Sequence, residues 1–361
     1  MWQNNLSLGF LIGLSFSFGF GLPSFLKNLV LFKECNMPTY NGPVIDDTPQ
    51  LWIASTGAVA GDASQEGVVL SRSGLIFPNV LLVGSQKAGT TAVAFWLLSL
   101  HATCGGRTFD NEPGYFKKEV HFFDHEERFR LGKEFYARRF EQCNSSDFVI
   151  DATPKYAHHA IRIADFYRQY GGLLSLKVMM ILREPISREL SAYNHKKANS
   201  VNLAYMSKTN NHVGRKFLLK KNYTSFDEYV DEELVLDLTT NSRNAHSLYS
   251  THLRQWFDVL QRDQIMILSY HELITDPVTF QRRVEGFLGL SPERGEYSLK
   301  SKKNEKSFPG KEVIPSCLTQ KKLADIFQLP NKDLYALLAQ KPGPPMEQKP
   351  FPEFEVMPCY D

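Results

Sequence analysis

Cysteine, net charge and repetition are all scarce in this sequence, and each shortage removes a class of protein. Five cysteines occur in 361 residues: Cys35, Cys104, Cys143, Cys317 and Cys359. They form no CxxC pair and no Cys/His cluster with zinc spacing, which argues against a metal centre. Their odd number allows at most two disulfides; Cys104 with Cys143 is one candidate, and spacing does not decide the pairing. Against 41 Lys+Arg stand 39 Asp+Glu, a formal charge of +2 that by itself points to no partner. No internal repeat is evident, so a solenoid is not indicated. No DNA-binding motif stands out, and no nucleic-acid partner is expected.

The charge that is present is unevenly placed. Nine Lys/Arg fall in residues 183–221 against Glu184 and Glu189, and five Lys in residues 300–311 against Glu305. Every charged residue in 227–237 is acidic. Basic blocks are either solvated faces or walls of a cleft for an anion. The 43% of hydrophobic residues supply a sizeable core, and the length suits one large domain with appendages.

Residues 6–26 carry no charge and are rich in Leu, Phe, Gly and Ser. At about 1.5 Å per residue such a helix spans a bilayer. The segment reads as a membrane anchor or a cleaved signal: Gly19 and Gly21 permit cleavage, while Lys27 and Lys33 lie on its far side. The sequons Asn144-Ser145-Ser146 and Asn222-Tyr223-Thr224 agree with a lumenal catalytic region in the secretory pathway. The expected organisation is a signal or anchor over 1–32, a Pro/Gly/Ser-containing stem over 33–74, a folded domain over 75–340 and a Pro-rich tail over 341–361.

Within that domain apolar runs alternate with helical periodicity. Residues 79–83, 148–150, 177–182 and 264–269 read as buried strands, and 90–100, 245–260 and 277–288 as helices. Another helix is expected from Pro185, since proline suits a first turn. Alternation of this kind predicts an α/β fold, a single large domain with a central parallel sheet flanked by helices. Ligands of such sheets bind beyond the carboxyl ends of the strands, here the loops after Val83, Ile150 and Leu182.

The first of these loops is Gly84-Ser85-Gln86-Lys87-Ala88-Gly89-Thr90-Thr91. Glycines allow a phosphate to approach the backbone, the helix start offers N–H groups, and Lys87, Thr90 and Thr91 add a charge and hydroxyls. A Walker A loop places its lysine after the last glycine; here it precedes Gly89 by two residues, so the design is a different one. The loop resembles the 5′-phosphosulfate loop of sulfotransferases that use 3′-phosphoadenylyl sulfate (PAPS). The segment running from Arg183 through Glu184, Pro185, Ile186, Ser187 and Arg188 to Ser191 and Tyr193 is similar to the family's 3′-phosphate motif. In that motif Arg183 and Ser191 would clamp the phosphate from two sides. The resemblance implies a P-loop-like nucleotide-binding fold, with Lys87, Ala88, Gly89, Thr90, Thr91, Arg183 and Ser191 around PAPS or its product PAP, and no metal required.

Lys118-Glu119-Val120-His121-Phe122-Phe123-Asp124 resembles the segment bearing the catalytic glutamate in heparan sulfate glucosaminyl 3-O- and N-sulfotransferases. Further agreement comes from Thr153-Pro154-Lys155-Tyr156, from His246-Ser247-Leu248-Tyr249 and from Pro330-Asn331-Lys332-Asp333. The resemblance implies Glu119 as base, Lys87 neutralising the leaving oxygen, and His121 and Asp124 orienting the acceptor or Glu119. It also implies Lys118 and Lys155 as acceptor contacts, an anionic glycan acceptor, and a Golgi location (secreted if residues 1–32 are cleaved). Two departures affect acceptor handling. Ala152 stands where those enzymes place a lysine, and the late loop offers only Lys306 or Lys311 to cover the nucleotide. A non-catalytic lumenal glycan-binding module and a nucleotide kinase are the competing readings. The sequence does not reveal an oligomeric state.

Overall fold

The computed structural model describes residues 74–108, 117–144, 147–206, 221–240, 245–291, 299, 313–355 and 359. The apolar segment 6–26, the stem, and the candidate residues Lys306 and Lys311 lie outside them. Among the described residues no helix is long and apolar enough to cross a membrane.

Five parallel strands make the sheet: β1 Val80–Gly84, β2 Thr103–Gly105, β3 Phe148–Asp151, β4 Lys177–Leu182 and β5 Ile265–Ser269, in the order β2-β3-β1-β4-β5. Every residue of β1 and β5 is buried, as expected of parallel strands covered on both faces. Their side chains alternate between two cores. Leu81, Val83, Val178, Met180, Leu182, Ile265 and Ile267 face one, and Val80, Leu82, Met179, Ile181, Met266 and Leu268 the other.

The second core is closed by α1 (Thr90–Leu97), through Val93, Trp96 and Leu97, and by an amphipathic helix, Pro277–Leu288, through Phe280, Val284 and Phe287. The first core is closed by α2 (Ala160–Tyr170), which presents Ile163, Phe166 and Tyr167. Beyond the sheet, α3 (Pro185–Met206) packs Ile186 and Tyr193 on Phe226 and Tyr229 in a third cluster. The helix α4 (Tyr249–Val259) returns to the first core through Leu253 and Trp256. The Pro277–Leu288 helix follows as α5, and α6 (Cys317–Gln340) spans the first and third clusters.

The helix expected from residue 245 begins only at Tyr249. Residues 245–248 form a turn closed by Leu248 N–H on Ala245 O at 3.2 Å, and there the Ser247 hydroxyl accepts from Arg188 Nε at 2.6 Å and donates to Glu189 Oε1 at 2.7 Å. Folded structure also continues past Gln340. Glu347 accepts from Ile267 N–H on β5 at 2.7 Å and from Arg262 at 2.5 Å, and Phe351 and Phe354 pack on the first core. Disulfides join Cys104 to Cys143 and Cys317 to Cys359.

Chain order reverses at β1: the chain leaves it for β2 and β3 on one side, then crosses to β4 and β5 on the other. A crevice beyond the carboxyl ends is expected at such a switch point.

Candidate active site

Residues 84–89 join β1 to α1. Ser85 N–H donates to Ile181 O at 2.8 Å, tying the loop to β4, and Ala88 N–H closes a turn onto Ser85 O at 3.0 Å. Gly89 has φ 81°, and a Cβ there would lie 2.6 Å from Leu273 Cδ2, so glycine is required twice over. Lys87 adopts φ 74° despite its side chain, a costly conformation of the kind that collects at functional positions. The helix α1 starts with no side-chain cap and no acidic residue in its first turn. Its positive dipole end is therefore left for an anion. Ala88 and Thr90 are buried at this turn and Thr91 is half-buried.

Arg183 stands at the end of β4, the strand beside β1. Its Nη1 donates to Lys87 O at 3.0 Å, its Nε to Ser187 Oγ at 2.9 Å, and its guanidinium lies 4.6 Å over the Tyr270 ring. The loops bearing Lys87 and Arg183 thus meet beyond the carboxyl ends of β1 and β4. A second arginine, which sequence reasoning passed over, grips the adjacent peptide. Arg188, 1% exposed, donates from Nη1 to Gln86 O at 3.2 Å and pairs with the buried Glu189. Two guanidinium groups therefore occupy the carbonyls of Gln86 and Lys87, which would otherwise repel an anion. Ser187, rather than Ser191, is the hydroxyl bonded to Arg183; Ser191 is half-buried one turn further along α3.

The segment 118–124 lies against the carboxyl end of β3. Lys118 O accepts from Ala152 N–H at 2.7 Å. The N–H groups of Val120, His121 and Phe122 donate to Asp151 Oδ1, Thr153 Oγ1 and Tyr156 OH at 3.3, 3.2 and 2.8 Å. Asp151 organises this junction and had no sequence signal. It is fully buried, accepts from Tyr136 and Tyr156 at 3.0 and 2.9 Å, and burial pushes its carboxyl up to about 6. The following turn, Pro154–His158, abuts the Lys87 loop so closely that a Cβ on Gly84 would lie 3.1 Å from Pro154 O.

Three of the predicted residues meet in a chain of hydrogen bonds. His121 Nε2 lies 3.2 Å from Glu119 Oε2, and Nδ1 lies 2.8 Å from Asp124 Oδ2. Burial alone would lower the imidazole's pKa, but its two carboxylate partners outweigh that and raise it to about 9. For both acids burial pulls upward, and the hydrogen bond from His121 heads the opposing effects that hold them below the usual range. Lys118 Nζ pairs with the other oxygen of Glu119. Glu119 keeps 18% of its side chain exposed against 7% for His121 and 2% for Asp124, so it is the most open to solvent of the three.

The family described as "Sulfotransferase domain" matches residues 77–311, more than half of the chain. The chain belongs to that family. Among curated relatives, it is 26% identical over 242 residues to human heparan sulfate glucosamine 3-O-sulfotransferase 5, covering 66% of this chain and 61% of that protein. It is 28% identical over 222 residues to human bifunctional heparan sulfate N-deacetylase/N-sulfotransferase 2, covering 60% of this chain and 22% of that one. The chain thus spans about three-fifths of the first relative's length and about a fifth of the second's. A solved sulfotransferase from Alicyclobacillus acidocaldarius aligns with 73% of this chain and 97% of its own at TM-score 0.49 and 20% identity, and nothing further rests on that likeness.

In this sulfotransferase-family domain Ala152 is 1% exposed and offers no charge. Lys155 is half-buried on the neighbouring turn, and its charge helps to lower the pKa of Asp124. Of the basic 183–221 block, residues 207–220 lie outside the described residues, and part of the rest is already engaged. Lys196 bonds Tyr229 OH at 3.1 Å, and Lys221 pairs with Glu228 and Glu232 at 3.1 and 2.5 Å, so the acidic 227–237 stretch neutralises part of it. Sequence reasoning also missed a packed trio of histidines: the His158 ring lies 4.4 Å from His246 and 4.1 Å from His252.

Proposed function

We propose that this protein transfers a sulfuryl group from PAPS to a hydroxyl or amine of a glycan, with a heparan-sulfate-like glucosaminyl acceptor favoured. The observation that carries this reading is the contact between the Lys87 loop and Arg183, whose guanidinium is bonded to the loop itself. The residues suit a doubly phosphorylated adenosine: an uncapped helix start for the 5′ end and a cationic side chain with nearby hydroxyls for the 3′-phosphate. Ser191 would complete that clamp, one turn beyond Ser187.

In the reaction the acceptor oxygen or nitrogen bonds to sulfur, and the bond from sulfur to the bridging 5′-phosphate oxygen breaks, releasing PAP. The acceptor's proton passes to Glu119, which the cations beside it keep ionised. Lys87 offsets charge on the departing oxygen, and cationic side chains replace any need for a metal. Lys118 and Lys155 would steer an anionic acceptor, and lumenal residence in the Golgi accords with the relatives' heparan sulfate names and with the exposed sequon residue Asn222.

Glu119→Gln tests the assignment. Transfer of label from radiolabelled PAPS to a mixed heparan-type glycan pool should fall by roughly 10²–10⁴-fold with PAP affinity unchanged. Full turnover in that variant would refute Glu119 as base, and an unlabelled pool with wild-type protein would refute transfer to such glycans.

A further inference from the structure

We propose that His121, Asp124 and His125 form a binding site for a zinc-class divalent cation, and that filling it silences Glu119. The second half rests on the transferase reading above. One donor atom from each of the three residues lies within 4.8 Å of the other two. His121 Nδ1 is 2.8 Å and His125 Nε2 is 3.8 Å from Asp124 Oδ2. Bonds of about 2.0–2.2 Å in a tetrahedral shell put neighbouring ligand atoms about 3.3 Å apart. The two observed edges bracket that spacing, so small rotations would close the set around an ion.

An independent observation on Asp124 points the same way. Its side chain is 2% exposed, yet Oδ1 has no hydrogen-bond partner among the described residues. A buried carboxylate oxygen left unsatisfied is rare and costly, and a cation taken by both oxygens of Asp124, Oδ2 on the histidine side and Oδ1 beside it, would satisfy it. His125 keeps 25% of its side chain exposed, which gives the ion a way in and leaves room for a water as fourth ligand. Two imidazoles with one carboxylate suit zinc; magnesium and calcium prefer all-oxygen shells.

Occupancy has a geometric consequence for the base. An ion on His121 Nδ1 would leave Nε2–H directed at Glu119 Oε2, 3.2 Å away. Glu119 would then be the outer partner of a metal-bound histidine, the arrangement in which a carboxylate fixes a ligand ring. Its other oxygen already holds Lys118. Without an ion the same two partners hold Glu119, but the His121 ring can turn away to free Oε2; an ion that pins the ring removes that exchange, and Glu119 has no oxygen to offer an incoming hydroxyl or amine.

Calorimetric titration of zinc chloride into the chelator-treated full chain, without nucleotide, tests the site alone. One ion per chain is expected, with affinity reduced at least about tenfold in His125→Ala, and in His125→Gln as a check that packing is intact. His246→Ala, in the other histidine cluster, should bind like wild type. No heat of binding in wild type, equal affinity in both His125 variants, or loss only in His246→Ala overturns the site. Turnover with and without zinc then tests the coupling. Wild-type transfer should be suppressed and restored by chelator, while His125→Ala works equally well without zinc and resists it. Wild type that binds the ion at the site yet keeps full turnover overturns the silencing, and a chain that binds zinc but never transfers sulfate fails the transferase reading while leaving the site intact.

Discussion

Arg188→Met separates what a buried ion pair does for stability from what it does for the Lys87 loop. The wild-type guanidinium touches three things: Glu189, the Ser247 hydroxyl at 2.6 Å and Gln86 O at 3.2 Å. Arg188 and Glu189 are 1% and 2% exposed, so removing the cation strands a carboxylate in the interior, which costs roughly 3–5 kcal/mol. Replacing both ends by apolar groups, as in Arg188→Met with Glu189→Leu, removes the stranded charge, and most of that loss should return. The hold on Gln86 O does not return with it. A hydrogen bond to a charged donor contributes about 1.5–3 kcal/mol, so the double variant should bind PAP about 10- to 150-fold more weakly than wild type. Urea denaturation followed by tryptophan fluorescence reads the first effect, and calorimetric titration with PAP reads the second. A double variant as unstable as the single one, or one that binds PAP as wild type does, would refute the reasoning.

Acid should destabilise the fold through the histidine trio. Burial foremost, then the charges of neighbouring histidines, Arg188 and Lys155, pull His158 down to about 2; burial, with Arg188 adding, pulls His252 down to about 4. Both folded values lie below the free value of about 6.5, so the unfolded chain takes up protons first and stability falls as pH drops through 6.5. With His246, which burial foremost also pulls well below the free value, three such groups lose about 4 kcal/mol between pH 7.5 and 5.5; Asp151, raised to about 6, returns about 0.8 and His121, raised to about 9, about 1.4, leaving a net loss of about 2. Urea midpoints at the two pH values check this, and a steeper loss in His252→Gln than in wild type would contradict it. Gly89→Ala should lower stability by more than about 1 kcal/mol and weaken PAP binding, because φ 81° and Leu273 both oppose a Cβ. A thermal melt unchanged from wild type would show that the loop yields at no cost.

Legibility followed the range of the interaction. The strand Lys177–Leu182 and the helix Pro277–Leu288 could be bounded from sequence because a continuous apolar run, or an amphipathic one, ends at a residue that stops it. The strand Thr103–Gly105 could not, being three half-buried residues with no period. Lys87, Arg183, Glu119, His121 and Asp124 were visible because each sits in a short contiguous motif. Asp151, Ser187, Arg188, Ser247 and the histidine trio act through partners that only folding brings near. Arg188 reaches Gln86 across 102 positions, and His158 meets His246 across 88. The segment after Gln340 looked like a Pro-rich tail for the same reason, since its anchor points are on β5 and in the core.

That last segment does more than fill space. The outermost strand of a sheet carries a row of amide donors with nothing beside them, and such a border invites a foreign strand to add itself. Here Glu347 reaches in to take the amide of Ile267, and Arg262 secures the carboxylate in place. A shortened chain ending at 340 would uncover that border and invite clumping in solution, and it would also take away Phe354, which packs 5.9 Å from the Tyr249 ring whose hydroxyl holds Arg183 O.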